Sequence, residues 1–184
     1  MARADLLALW ENIRDGKGLT DWTSGKAMEY LFLRAFQLEG ASVRWPYSVG
    51  FPFDGTGGRG FMEQIDGAIY IDNLCVLVET KDVEGETRNK EKGIEPIAKL
   101  RNQLMRRPGS VIGAVFSRSG FSVSAKILAH FTAPQTILLW EGSEFELGLQ
   151  AEKLCEGMLL KYRYAAERAI PNYNLAVATE WMGQ

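Results

Sequence analysis

Histidine is almost absent from this chain: His130 is the single one in 184 residues. That excludes a histidine-rich metal site and leaves little material for a Ser-His-Asp or Cys-His nucleophile. Cysteine is nearly as scarce, with Cys75 and Cys155 alone. Nothing in that pair suggests a disulfide framework or a zinc cluster. Cys75 lies inside an apolar run, where a thiol packs as a small hydrophobe. No apolar stretch approaches the roughly 20 residues of a membrane span. The N-terminal MARADLLALWENIRDG has too short an apolar run, interrupted near its start by Asp5, to read as a secretion signal. The expected location is therefore cytoplasmic. Positive charge is not in excess either, the formal net charge being -2. Any contact with nucleic acid must then come from a local basic surface. There is no internal repeat and no low-complexity tract.

What remains is ordinary globular material, 46% hydrophobic and 24% charged, enough for one sizeable core. One domain over 1–184 is expected. DLLALWENIRDG has Leu6, Leu9, Trp10 and Ile13 on one helical stripe. TSGKAMEYLFLRAFQLEG predicts a second helix, capped by Thr23 or Ser24 and stopped at Gly40. ASVRWPYSVGFPF reads as extended. QIDGAIYIDN and CVLVETKD read as two strands pairing across an Asp72-Asn73 turn. The charged VEGETRNKEKG reads as a solvated loop. IEPIAKLRNQLMRR is helical, with Pro96 tolerated in the first turn. SVIGAVFS and QTILLWEG are strands, separated by the helix FSVSAKILAHF. A helical tail begins near Ser143 and runs to about Arg168. The order predicts an α/β fold: one mixed sheet with helices on both faces and an extra C-terminal helical extension over 143–184.

CVLVETKD is apolar along its length and then ends in charge. Glu79 and Lys81 are two residues apart on one strand, so they point to the same face. If the preceding strand returns at Asp72-Asn73, Asp66 comes to the same end of the sheet. Two carboxylates beside a lysine suit phosphodiester hydrolysis. Hard oxygen ligands hold Mg²⁺, which activates water, and the lysine counters charge growing on phosphate. A solvated salt bridge at a strand end is the plain alternative, worth under ~1 kcal/mol. The apolar flanks of both strands argue against it.

D…ExK on adjacent strands, after one helix and before another, resembles the PD-(D/E)xK nuclease superfamily. The more specific likeness is to the Mrr-type restriction endonuclease catalytic domain. GKAME in the first long helix, Ile65-Asp66, Val76 to Lys81, and SRSGFSVSAKILA all match, and together they cover about residues 20–140. There is no proline before Asp66, and no winged-helix type of DNA-recognition domain is evident. The resemblance implies a restriction-endonuclease-like core of order α-β-β-β-α-β. It implies that Asp66 and Glu79 hold Mg²⁺, or Mn²⁺ as a substitute, with the Thr80 carbonyl assisting. Lys81 would position the attacking water. Glu29 would approach the metal directly or through water, and Gln103 would complete the catalytic set. DNA is the implied substrate.

GTGGRG, residues 55–60, formally matches GxGxxG. It lacks the preceding strand and following helix that a dinucleotide site needs. Arg59 on that loop is a candidate DNA contact, as are Arg88, Lys90, Lys92 and Arg118. Lys99, Arg101, Arg106 and Arg107 extend the local basic surface. His130 reads as a packed or capping residue. The five tryptophans read as core or edge packing. Two rival readings stay open: a junction-resolvase-like or partner-directed nuclease, the former requiring a two-fold homodimer, and a non-catalytic nucleic-acid-binding or assembly protein on the same fold.

Overall fold

A computed structural model describes residues 1–17, 22–50, 63–81, 90–178 and 181. Two helices come first, α1 (Arg3–Asp15) and α2 (Ser24–Leu38). Five strands follow: β1 (Ser42–Arg44), β2 (Tyr47–Val49), β3 (Glu63–Ile65), β4 (Gly67–Ile71) and β5 (Leu74–Lys81). Then come α3 (Glu95–Leu104), β6 (Val111–Ser117), α4 (Val123–His130) and β7 (Ile137–Glu141). The last elements are α5 (Gly142–Ala151), α6 (Leu154–Arg168) and a 3₁₀ turn, Leu175–Val177. The expected single tail helix is thus two helices. Glu152 takes a left-handed conformation, φ 60°, at the break between them.

The main sheet has the order β1-β4-β5-β6-β7. β1, β4 and β5 are antiparallel neighbours, whereas β5, β6 and β7 run parallel. The parallel connections pass through α3 and α4, as parallel strands require. The expected hairpin forms, with Ile71 opposite Leu74 and Asp72 at φ 50° in its turn.

Alternation along the strands divides the core in two. Val76 and Val78 join Phe32, Phe36, Phe116, Trp140 and Phe145 on the face covered by α1, α2, α5 and α6. Leu77, Val115 and Leu139 meet Ile97, Leu100, Ala125 and Ala129 on the face covered by α3 and α4. Edge-to-face aromatic contacts tighten the first face, including Phe32 to Phe145 at 4.0 Å between ring centres. Thr23 caps α2, its hydroxyl accepting the Lys26 amide, and Ser122 caps α4 in the same way.

QIDGAIYIDN departs from the single strand expected. It divides at Asp66. β3 pairs with β2 in a separate two-stranded sheet, and β4 belongs to the main sheet. The break has a local cause. A Cβ on Gly67 would stand 2.7 Å from Leu33 Cδ1 of α2. Glycine there, at φ 154°, lets the helix approach the strand and lets the backbone turn between sheets.

The C-terminal segment is held by a buried ion pair. Lys161 on α6 is fully buried, as is Glu144 on α5. The Lys161 ammonium donates to Glu144 Oε1 and to the Tyr173 carbonyl. Glu144 Oε1 also accepts the Leu175 amide at 2.8 Å, and its Oε2 accepts the Glu141 amide at 2.7 Å. Beyond α6, the Pro171 carbonyl accepts the Leu139 amide of edge strand β7 at 3.0 Å. Replacing Lys161 with Met should cost about 3–5 kcal/mol, because it leaves Glu144 buried without its counter-charge. Urea unfolding followed by circular dichroism measures that loss.

Candidate active site

Asp66, Thr80, Glu79 and Lys81 meet where β4 and β5 reach the carboxyl end of the parallel strands. The β4–β5 ladder places Gly67 opposite Val78. One step further, the backbone pairing is replaced by a side chain. Asp66 Oδ2 accepts the Thr80 amide at 2.9 Å, with the Thr80 hydroxyl at 3.5 Å. Asp66 therefore occupies a fixed position beside Glu79. Both are buried, at 6% and 0% exposure.

Glu79 and Lys81 share the sheet face of Leu77, which looks toward α3. Lys81 Nζ lies 2.7 Å from Glu79 Oε1. This is an ion pair without hydrogen-bond alignment, so Oε1 has no hydrogen-bond donor. A second ammonium arrives from α3. Lys99 Nζ lies 2.6 Å from Glu79 Oε2 and 3.7 Å from Asp66 Oδ1. Burial works to strip Lys99 of its proton. The hydrogen bond to Glu79 and the charges of Asp66, Glu79 and Glu29 outweigh it and hold its pKa above the ordinary lysine value.

Glu29 belongs to α2 and is close enough to feel the charge of the same carboxylates. Burial pushes its carboxyl above the usual range, and the charges of Asp66 and Glu79 push it the same way. Gln103 stands one helical turn beyond Lys99. Its Nε2 donates to the Gln64 carbonyl at 3.0 Å, securing the strand that leads into Asp66.

The basic residues divide. Arg106 and Arg107 both pair with Glu63 of β3, Arg107 at 2.9 Å, which binds the end of α3 to the second sheet. Lys90 and Lys92 are stitched to the SRSGFS stretch. The Ser119 hydroxyl donates to the Lys90 carbonyl at 2.8 Å. The Lys92 amide donates to the Gly120 carbonyl, and its own carbonyl accepts from Ser122, each at 3.0 Å. Gly120, at φ 79°, makes this tight turn possible. Lys90, Lys92 and Arg118 are thereby gathered at the strand ends, since Ser117 is the register partner of Lys81. Arg59, Arg88 and the GTGGRG loop lie outside the described residues. His130 is exposed at the end of α4 rather than packed, and its Nε2 lies 2.9 Å from Asn172 Oδ1. The Cys155 thiol is pushed up to about 12, first by burial, and offers no thiolate nucleophile.

The residue that sequence reasoning misplaced is Lys99, counted there only as part of a basic surface. Its spacing of four from Gln103 puts both on one helix face, and that was the available signal. Glu63, the anchor for two arginines, carried none.

Among the described residues, no group of three or more His, Cys, Asp or Glu is gathered tightly enough to hold a metal unaided. The set Asp66, Glu79 and the Thr80 carbonyl still fits a hard divalent cation. Such an ion needs only one or two carboxylates and completes its shell with water and phosphate. The ammonium groups of Lys81 and Lys99, drawn to these two buried carboxylates, mark a place that favours positive charge.

No protein-family model and no curated protein matches the sequence. Solved structures do. The small subunit (R.BspD6I2) of the heterodimeric restriction endonuclease R.BspD6I aligns at TM-score 0.55 and 14% identity, over 98% of this chain and 96% of that one. The chain has a restriction-endonuclease-like fold. MspJI restriction endonuclease, in complex with a 27-mer oligonucleotide, aligns at TM-score 0.43 and 20% identity, over 94% of this chain and 36% of that one. A protein of unknown function, AF1548, aligns at TM-score 0.46 and 15% identity, over 61% of this chain. The alignment spans 56% of AF1548's own length. The fold assignment rests on the first of these. Among the described residues no helix is long and apolar enough to cross a membrane.

Glu29 provides a test of this electrostatic picture. Its carboxyl is raised in the folded chain, so the unfolded chain releases the proton first as pH rises. Stability contributed by neutral Glu29 is then lost between the ordinary glutamate value, about 4.3, and the raised folded value. Glu29→Gln should therefore melt higher than the wild type at neutral pH. That advantage should vanish below about pH 4. Thermal unfolding in EDTA at several pH values measures the difference.

Proposed function

We propose that the chain is a metal-dependent DNA endonuclease of the restriction-endonuclease-like, Mrr type, hydrolysing phosphodiester bonds. The observation that carries this reading is the buried Glu79 carboxylate beside Asp66, with the ammonium groups of Lys81 and Lys99 drawn to its two oxygens. A buried ionised carboxylate is costly, and a site built around one is favoured where a cation is to be bound.

Asp66, Glu79 and the Thr80 carbonyl would hold Mg²⁺, or Mn²⁺ in its place, and the ion would supply polarisation of the phosphate and acidification of a water. Water oxygen would attack phosphorus as its proton passes to solvent, and one sugar oxygen would depart with the electrons of the broken bond and take up a proton from solvent. Lys81, partly exposed at the strand exit, orients that water and counters the charge that grows on the phosphoryl oxygens. Asp66 is kept in place by the Thr80 amide. Glu29, on α2, would approach the metal directly or through water. Lys90, Lys92 and Arg118 would meet the phosphate backbone beyond Lys81.

A second reading has one observation in its favour. The solved neighbour aligned over nearly its whole length is itself one subunit of a heterodimeric restriction endonuclease. On that reading the chain cuts DNA when a partner places it.

Supercoiled plasmid, linear duplex and branched DNA should be cut with Mg²⁺ or Mn²⁺ and spared in EDTA. Asp66→Ala and Lys81→Ala should each slow cutting about a hundredfold or more. A folded protein that neither cuts nor binds Mn²⁺ would overturn the nuclease reading. Mn²⁺ binding that is lost in Asp66→Ala, without cutting of any substrate, would favour the partner-directed one.

A further inference from the structure

α2, the turn before β2 and β3 line an open pocket that includes Glu29. It has a volume of about 380 Å³, within the range of small-molecule sites. Its walls are aromatic. Tyr30 stacks on Trp45, with ring centres 5.3 Å apart and planes 19° from parallel. Trp22 meets Tyr30 edge-on at 4.8 Å. Trp22 and Trp45 nonetheless keep 39% and 37% of their surface exposed. Large aromatic surface left open in a pocket is surface available for a flat ligand.

The polar lining comes from Lys26, Glu29 and Gln64. Glu29 and Gln64 connect the pocket to the candidate active site. Glu29 feels the charges of Asp66 and Glu79. Gln64 lies two residues before Asp66, and its carbonyl is held by Gln103. Trp45 lies between Arg44, which pairs with Ala68 in the main sheet, and Tyr47, which pairs with Ile65 in the second.

We propose that this pocket takes one unstacked nucleobase of the strand whose phosphate lies at Asp66 and Glu79, stacked against Trp22 and Trp45. The inference rests on reading those carboxylates as the phosphodiester site. Every base presents a π-face, so stacking needs no particular sequence. Glu29 and Gln64 supply hydrogen-bonding groups for the base edge, and Lys26 matches a neighbouring phosphate. Aromatic walls beside a carboxylate would also suit a quaternary ammonium, but Lys26 in the same lining opposes a cation. The substrate class implied is DNA with an unpaired nucleotide next to the cut: a single strand, a frayed end or a branch.

Binding measured in EDTA separates this from catalysis. Fluorescence anisotropy would compare labelled single-stranded oligothymidylate with an abasic deoxyribose-phosphate chain of equal length. Wild type should bind the base-bearing strand more tightly. Trp45→Ala and Trp22→Ala should each weaken that binding roughly five- to hundredfold and leave the abasic chain unaffected. Trp45→Phe, which keeps an aromatic face, should retain most of it. Trp22 lies outside the helices and sheets, so its variant tests the pocket even where Trp45→Ala unfolds. Equal wild-type affinity for the two strands would overturn the proposal. So would tryptophan variants that bind like wild type, or displacement of oligothymidylate by tetramethylammonium at low millimolar concentration. The two readings fail separately. Cutting that depends on Asp66, with binding indifferent to bases, removes the pocket and keeps the nuclease. Base-dependent binding through Trp22 and Trp45, without any cutting, removes the nuclease and keeps a base site.

Discussion

The side chain of Glu79 is wholly withdrawn from water. A carboxylate in that position must meet positive charge or take up a proton. Much of the nearby geometry answers that demand. Lys81 reaches back along its own strand and Lys99 reaches across from α3, one toward each oxygen. Asp66 needs a different solution, and the Thr80 amide supplies it. That bond interrupts the ladder at the point where the chain leaves the main sheet. The strand break, the placement of α3 and the spacing of the two carboxylates are thus linked through one buried charge.

The second sheet hangs on the same arrangement. β3 is fixed by Glu63 to two arginines at the end of α3, and by the Gln64 carbonyl to Gln103. α3 therefore contributes an ammonium to the carboxylates and clamps the strand that leads into Asp66. α2 works from the opposite side, with Leu33 packed onto Gly67 and Glu29 facing the charges. The site is held between two helices that belong to different halves of the core.

Local signals in the sequence carried the reading well. The hairpin at Asp72-Asn73, the cap at Thr23, proline in the first turn of α3 and the shared face of Glu79 and Lys81 all follow from short-range chemistry. So did the order of helices and strands that yields the mixed sheet. What stayed hidden depends on distant partners. The division at Asp66 arises because Leu33 presses on Gly67, more than thirty residues away in sequence. Lys99 looked like any solvated helix lysine until α3 was laid over the face of Leu77. Trp22 and Trp45 read as scattered packing residues, since nothing local says that Tyr30 will gather them. The tail looked like one helix because its apolar pattern continues through Glu152, where the backbone alone changes hand.

The bond from Leu139 to Pro171 bears on how copies of this chain could associate. β7 is an outer strand of the main sheet, and an outer strand with unpaired amides invites another strand to add to it. Here a loop from the same chain takes one of those amides, and the Lys161–Glu144 pair anchors the segment that follows. Extending the sheet through β7 would mean prising that strap away against a buried charge pair. Self-association is thereby steered toward other surfaces, and a symmetric assembly would have to bring its two carboxylate centres together without a continuous sheet across that margin.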